Sequence, residues 1–99
     1  MRRFIIAVQY LSEYVRRLTK TEVKRSYIII DKAHRTMFPS PGIYFKISIG
    51  NQVVDAKVDR FHRIYVGFNV RDLLGFETNR IAVFTKNPDG TYSLLSRKR

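Results

Sequence analysis

The chain contains no cysteine. That excludes disulfides, thiol nucleophiles and thiolate zinc sites. Acidic residues are scarce: 8 Asp and Glu stand against 19 Lys and Arg, for a net charge of +11 at pH 7. Small soluble domains usually carry a charge of magnitude about 2–8. The excess points to a polyanionic partner, nucleic acid ahead of an anionic membrane surface. The competing reading is a charged surface that serves solubility or thermal stability alone. Long apolar runs are missing too, and no stretch approaches the roughly 18 residues that a membrane span needs. Residues 4–8 (FIIAV) follow Arg2 and Arg3 as in a secretory leader, but Gln9 and Glu13 interrupt the run. The expectation is an intracellular protein with no membrane partner, cytoplasmic, or in the host cytoplasm if viral.

Catalytic signatures are equally absent. There is no Gly-rich phosphate loop, no nucleophile elbow and no HExxH motif. His34 and His62 lack metal-ligand spacing, which favours surface or hydrogen-bonding roles. Asp55 and Asp59 share one face of an expected strand with Lys57 between them. They read as solvated charges that hydrogen-bond the adjoining loop, ahead of a two-carboxylate metal site. No enzymatic activity, no cofactor and no metal site is expected.

What is present suits one α+β domain over residues 1–99, with a modest core that dimerisation would enlarge. Ile5, Val8, Leu11, Val15 and Leu18 recur at spacings of three and four, which predicts an amphipathic helix over 4–18. Residues 26–31 (SYIIID) read as a strand, and 32–42 (KAHRTMFPSPG) as a loop that completes an N-terminal region of 1–42. Residues 43–49 alternate, with Ile43, Phe45, Ile47 and Ile49 on one side. Gly50-Asn51 then turns the chain into a partner strand at 52–59. A short strand at 63–66 precedes a helix at 70–74, capped by Asn69 and ended by Gly75. Strands at 80–85 and 91–95 flank the turn Asn87-Pro88-Asp89-Gly90, closing a hairpin region of 43–95. Residues 96–99 form a basic tail. There is no internal repeat and no low-complexity segment.

Residues 57–75, KVDRFHRIYVGFNVRDLLG, resemble the core of the AbrB/SpoVT swapped-hairpin DNA-binding family. Lys57, Val58, Asp59, Arg63, Ile64, Val66, Val70, Arg71, Leu74 and Gly75 fall on the family pattern without a gap. His62 stands where the family has Gly, Gly67 where it has Pro, Asn69 for an acidic residue, and Asp72 where one member has Arg. The short, cysteine-free, Ile/Tyr/Arg-rich chain also looks like small proteins of hyperthermophilic archaea and their viruses. The AbrB resemblance implies a homodimer of interlocked hairpins closing a barrel, and a role in transcription regulation. It assigns DNA contacts to Lys57, Arg63 and Arg71; Arg60 joins them from its own place in the loop. Guanidinium groups pair with phosphates and with guanine edges, which fits that assignment.

Residues 64–70 (IYVGFNV) come close to the first motif of the RRM fold, but too little chain follows and the second motif is missing. Tyr65 and Phe68 still offer rings on which bases could stack. Phe61 is expected as a core plug rather than an exposed wedge. The reading reached from sequence is a dimeric, non-enzymatic nucleic-acid-binding protein, with DNA favoured over RNA. The alternatives are an RNA-binding or ribosome-associated protein, and a protein acting only through protein partners.

Overall fold

Tyr14 and Leu18 are buried and Arg16 half-buried, while Val15 and Arg17 between them are exposed. That is the period of a strand. In the computed structural model, which describes residues 12–98, Glu13–Arg17 is strand β1. The helix expected over 4–18 is therefore corrected over 13–17, and its part at 4–11 lies outside the described residues. The spacing of Val15 and Leu18 suits a helix, but antiparallel pairing decides the local conformation. β1 lies against β6 (Ile81–Lys86), with Tyr14 opposite Phe84 and Val15 opposite Val83.

A helix forms instead just beyond. Thr19 accepts a hydrogen bond from the Glu22 N–H, and the Glu22 carboxylate accepts one from the Thr19 N–H. This capping box starts α1 (Lys20–Arg25), which Ser26 ends in a left-handed conformation at φ 63°. Glu22 is fully buried. Its oxygens also take the Arg16 guanidinium and, at 2.7 Å, the Ile29 N–H. One carboxylate thus joins β1, the start of α1 and strand β2 (Tyr27–Ile29).

The loop expected at 32–42 contains a 3-10 helix, Lys32–Met37, capped by the Asp31 side chain. Strand β3 (Phe45–Ile49) turns through Gly50, at φ 58°, into β4 (Gln52–Ala56). Of the four residues expected on the inner side, Phe45, Ile47 and Ile49 are buried, whereas Ile43 precedes the strand and is exposed. Strand β5 (Arg63–Tyr65) leads to α2 (Phe68–Leu74). Gly67, not Asn69, holds the N-cap position of α2, and Gly75 ends it at φ 61°. The turn at 87–90 then joins β6 to β7 (Tyr92–Arg97).

Five strands form one sheet in the order β1-β6-β7-β3-β4, and β2 and β5 form a separate ribbon. The sheet is mixed rather than built from antiparallel hairpins alone, because β3 and β7 run parallel. Closure into a barrel is not seen. The β5 strand, which lies in the AbrB-like stretch, pairs with β2 of its own chain, Tyr27 opposite Tyr65 and Ile28 opposite Ile64. One apolar cluster spans both halves of the described chain. Its aromatic part centres on Phe38, whose ring lies 5.3 Å from Phe84, 5.2 Å from Tyr92, 6.1 Å from Tyr14 and 6.2 Å from Phe45. The inner side of the ribbon, Ile28 and Ile64, completes it.

Candidate nucleic-acid interface

The connection from β4 to β5 contains Lys57 and Arg60, and Arg63 opens β5, so three of the four residues assigned from sequence lie here. Asp59 shapes it. One carboxylate oxygen accepts the Phe61 N–H at 2.8 Å and the Arg63 N–H at 3.0 Å. The Asp59 N–H donates to the Arg63 carbonyl, and the His62 N–H to the Asp59 carbonyl, both at 2.9 Å. His62 takes a left-handed φ of 61°. These bonds close a tight turn and push Arg60 and Phe61 out at its tip. Burial alone would raise the Asp59 pKa, but the hydrogen bonds from the Arg63 and Phe61 amides and the Arg63 guanidinium hold it below the usual carboxylate value. Its second oxygen takes the Arg63 Nε at 2.8 Å, and this bond raises the arginine's already high pKa.

Above that ion pair the side chains stack. The Arg63 guanidinium lies 4.8 Å from the Phe61 ring centre, 4.9 Å from Tyr27 and 5.5 Å from Tyr65. The Arg60 guanidinium likewise lies 4.8 Å from the Phe61 ring centre. Tyr27 meets Tyr65 edge-on at 5.7 Å and is itself buried, forming a floor. Phe61 and Tyr65 are each 56% exposed, which corrects the core role expected of Phe61. The buried apolar side chain of this connection is instead Val58, 2% exposed and bridged to Ile64.

The loop at 31–42 is tied to the same turn. The Ile30 N–H donates to the His62 carbonyl and the Gly42 N–H to the Val58 carbonyl. A cleft of about 380 Å³ opens between them, with Arg35, Thr36 and Ser40 on one wall and Val58 and His62 on the other. Lys32 and Arg35 on the loop and Lys57 and Arg60 on the turn are all exposed. Lys57 holds its ammonium 5.0 Å from the exposed Tyr44 ring.

The structure thus brings Arg60 and Arg63 together about Phe61 and sets Lys57 at the base of the same turn. Arg71 stands apart. Its guanidinium donates to the Ser26 hydroxyl and covers the Phe76 ring at 5.3 Å. By the ribbon's register, Ser26 precedes the Tyr27–Tyr65 pair, the end away from the turn. Asp55 pairs with Lys46 at 2.6 Å, so it and Asp59 each neutralise a cation. His34 bonds Asp31 at 2.7 Å and rests 4.7 Å from the Tyr14 ring, a hydrogen-bonding role as expected. The sequence reading missed Tyr27 and Arg35. Their part depends on the pairing of β2 with β5 and on the path of a long loop, and neither has a local signal.

The chain matches no protein-family profile and no curated protein sequence, so the AbrB resemblance gains no support there. Among solved structures, the fold is similar to the N-terminal domain of Helicobacter pylori LlaJI.R1. The TM-score is 0.68, the match covers 86% of each chain, and sequence identity is 13%. This is a likeness of fold, and the ligand has to be argued from the site itself.

Proposed function

We propose that this chain is a non-enzymatic nucleic-acid-binding domain that grips a phosphate backbone with the β4–β5 turn and the adjoining 31–42 loop. The observation that carries the reading is that Lys32 and Arg35 of the 31–42 loop and Lys57 and Arg60 of the β4–β5 turn sit on two segments joined by backbone hydrogen bonds. All four are exposed, and none is ion-paired among the described residues. Four of the eight acidic residues, Glu22, Asp31, Asp55 and Asp59, are meanwhile held by basic partners. These unpaired cations belong to a net charge of +11, which suits a polyanionic partner. DNA is preferred to RNA, and a homodimer acting in transcription regulation is expected, on the ground of the AbrB resemblance in residues 57–75.

Binding to duplex DNA across a salt series tests the reading. Log K should fall with log salt at a slope of about −0.9 per phosphate neutralised. Lys57→Ala and Arg60→Ala should each flatten that slope by about one phosphate. Absence of binding at low salt, to duplex or to single strands, would overturn it. Sedimentation at micromolar concentration decides the homodimer separately.

A further inference from the structure

Phosphate contacts require cations and donors, and they give no work to exposed aromatic rings. Yet two large rings stand in the open beside the cations of this turn. Phe61 and Tyr65 are 56% exposed and both lie against the Arg63 guanidinium. They are also braced. Arg63 lies within 5.5 Å of both ring centres, Asp59 fixes its Nε, and Tyr27 supports Tyr65 from below. Rings set in this way lose little further freedom when a flat partner lands on them.

We propose that Phe61 and Tyr65, with Arg63 between them, form a stacking platform for unpaired bases of a nucleic-acid strand. The proposal rests on the nucleic-acid reading above and narrows its ligand. Inside a duplex the faces of the bases are covered by their neighbours, and only edges and phosphates meet a protein. Faces become available in a single strand, or where a base leaves the stack. Arg60 at the tip and Lys57 at the base of the turn then lie where the backbone of that strand would pass. The chemistry is the same for a deoxyribose and a ribose strand, because every base has a π-face.

Fluorescence anisotropy with the full chain tests this. The probes are a labelled single-stranded oligodeoxynucleotide, the ribo-oligonucleotide of the same sequence, and the fully paired DNA duplex. Phe61→Ala and Tyr65→Ala should each weaken single-strand binding about tenfold, on the order of one base stacked on one ring. The same variants should change duplex binding by less than about twofold, while Phe61→Tyr and Tyr65→Phe stay near the unaltered chain. Both rings are exposed, so circular dichroism should show the variants folded. Quenching of 2-aminopurine in the single strand reports stacking directly and should be lost with the rings. Single-strand binding that falls when either ring is removed carries the proposal, and the tighter of the two strands names its source. Ring variants that bind single strands unchanged, or that lose equally on duplex and single strand, overturn the platform. If duplex binding still depends on Lys57 and Arg60 in that case, only the platform falls. If no probe binds at low salt, the nucleic-acid reading falls with it.

Discussion

Two groups of aromatic side chains occupy this small protein, and they are treated in opposite ways. Around the five-stranded sheet, Tyr14 and Tyr92 are sealed in the core, and each hydroxyl donates to a backbone carbonyl, Ile29 at 2.7 Å and Met37 at 2.6 Å. Burial raises the pKa of both phenols, so they stay neutral donors. On the β2–β5 ribbon, Phe61 and Tyr65 face solvent and lie against arginine. A core ring gains from leaving water, and its hydroxyl must then find a partner. A ribbon ring gains little of this, so its placement has to be explained by what it meets. The same residue types thus fill the core in one region and stand at the surface beside arginine in the other.

The sharpest test of that contrast is truncation. Phe84→Ala in the sheet should cost about 3–5 kcal/mol by chemical denaturation, since the ring is fully buried among other rings. Phe61→Ala should cost under about 0.5 kcal/mol, as exposed substitutions do. Comparable losses at the two sites would erase the distinction.

The joint between the regions comes next. Glu22→Gln keeps the volume but withdraws the charge that holds Arg16 and the Ile29 amide. A loss of about 1.5–3 kcal/mol is expected for a hydrogen-bonded charge, while the amide oxygen can still accept the Thr19 N–H of the capping box. Hydrogen exchange should show Ile29 less protected; unchanged protection would mean that the carboxylate is not the joint.

Removing single hydroxyls gives a smaller effect. Tyr92→Phe leaves the buried Met37 carbonyl without its donor and should cost about 1 kcal/mol. Tyr65→Phe should leave the melting temperature unchanged, and an equal cost at both positions would count against the comparison.

The smallest effect concerns acid and the turn itself. The folded-state pKa of Asp59 lies below the ordinary carboxylate value. Its stabilising bonds are therefore complete above roughly pH 4, and they are lost as the pH falls through that lowered value. Hydrogen exchange at the Phe61 and Arg63 amides, corrected for the intrinsic pH dependence, should speed up only in that acid range. Faster exchange already on going from pH 7 to 5 would contradict the assignment.

Much of the local structure was legible in the residues. Gly50-Asn51, Gly75 and the Asn87–Gly90 turn act where the sequence places them, because positive φ and turn chemistry are properties of a few adjacent residues. The capping box at Thr19 and Glu22 was equally local and was passed over in favour of a longer apolar spacing. Lys57, Arg60 and Arg63 could be proposed as a group because they lie within seven residues at the entry to β5. Arg71 could not be separated from them, since its tie to Ser26 joins residues 45 positions apart.

The amino-acid sequence by itself determined the charge excess, the turns and most of the strands, since these follow from composition and short-range chemistry. Tertiary structure alone decided that Glu13–Arg17 is a strand, that β3 lies parallel to β7, and that Tyr27 comes to lie opposite Tyr65. Those choices pair segments far apart in the chain. A strand's partner is selected by the burial of whole faces rather than by any residue beside it. The same holds at the β4–β5 turn, where Val58 and Ile64 are buried and bridged while Phe61 is exposed.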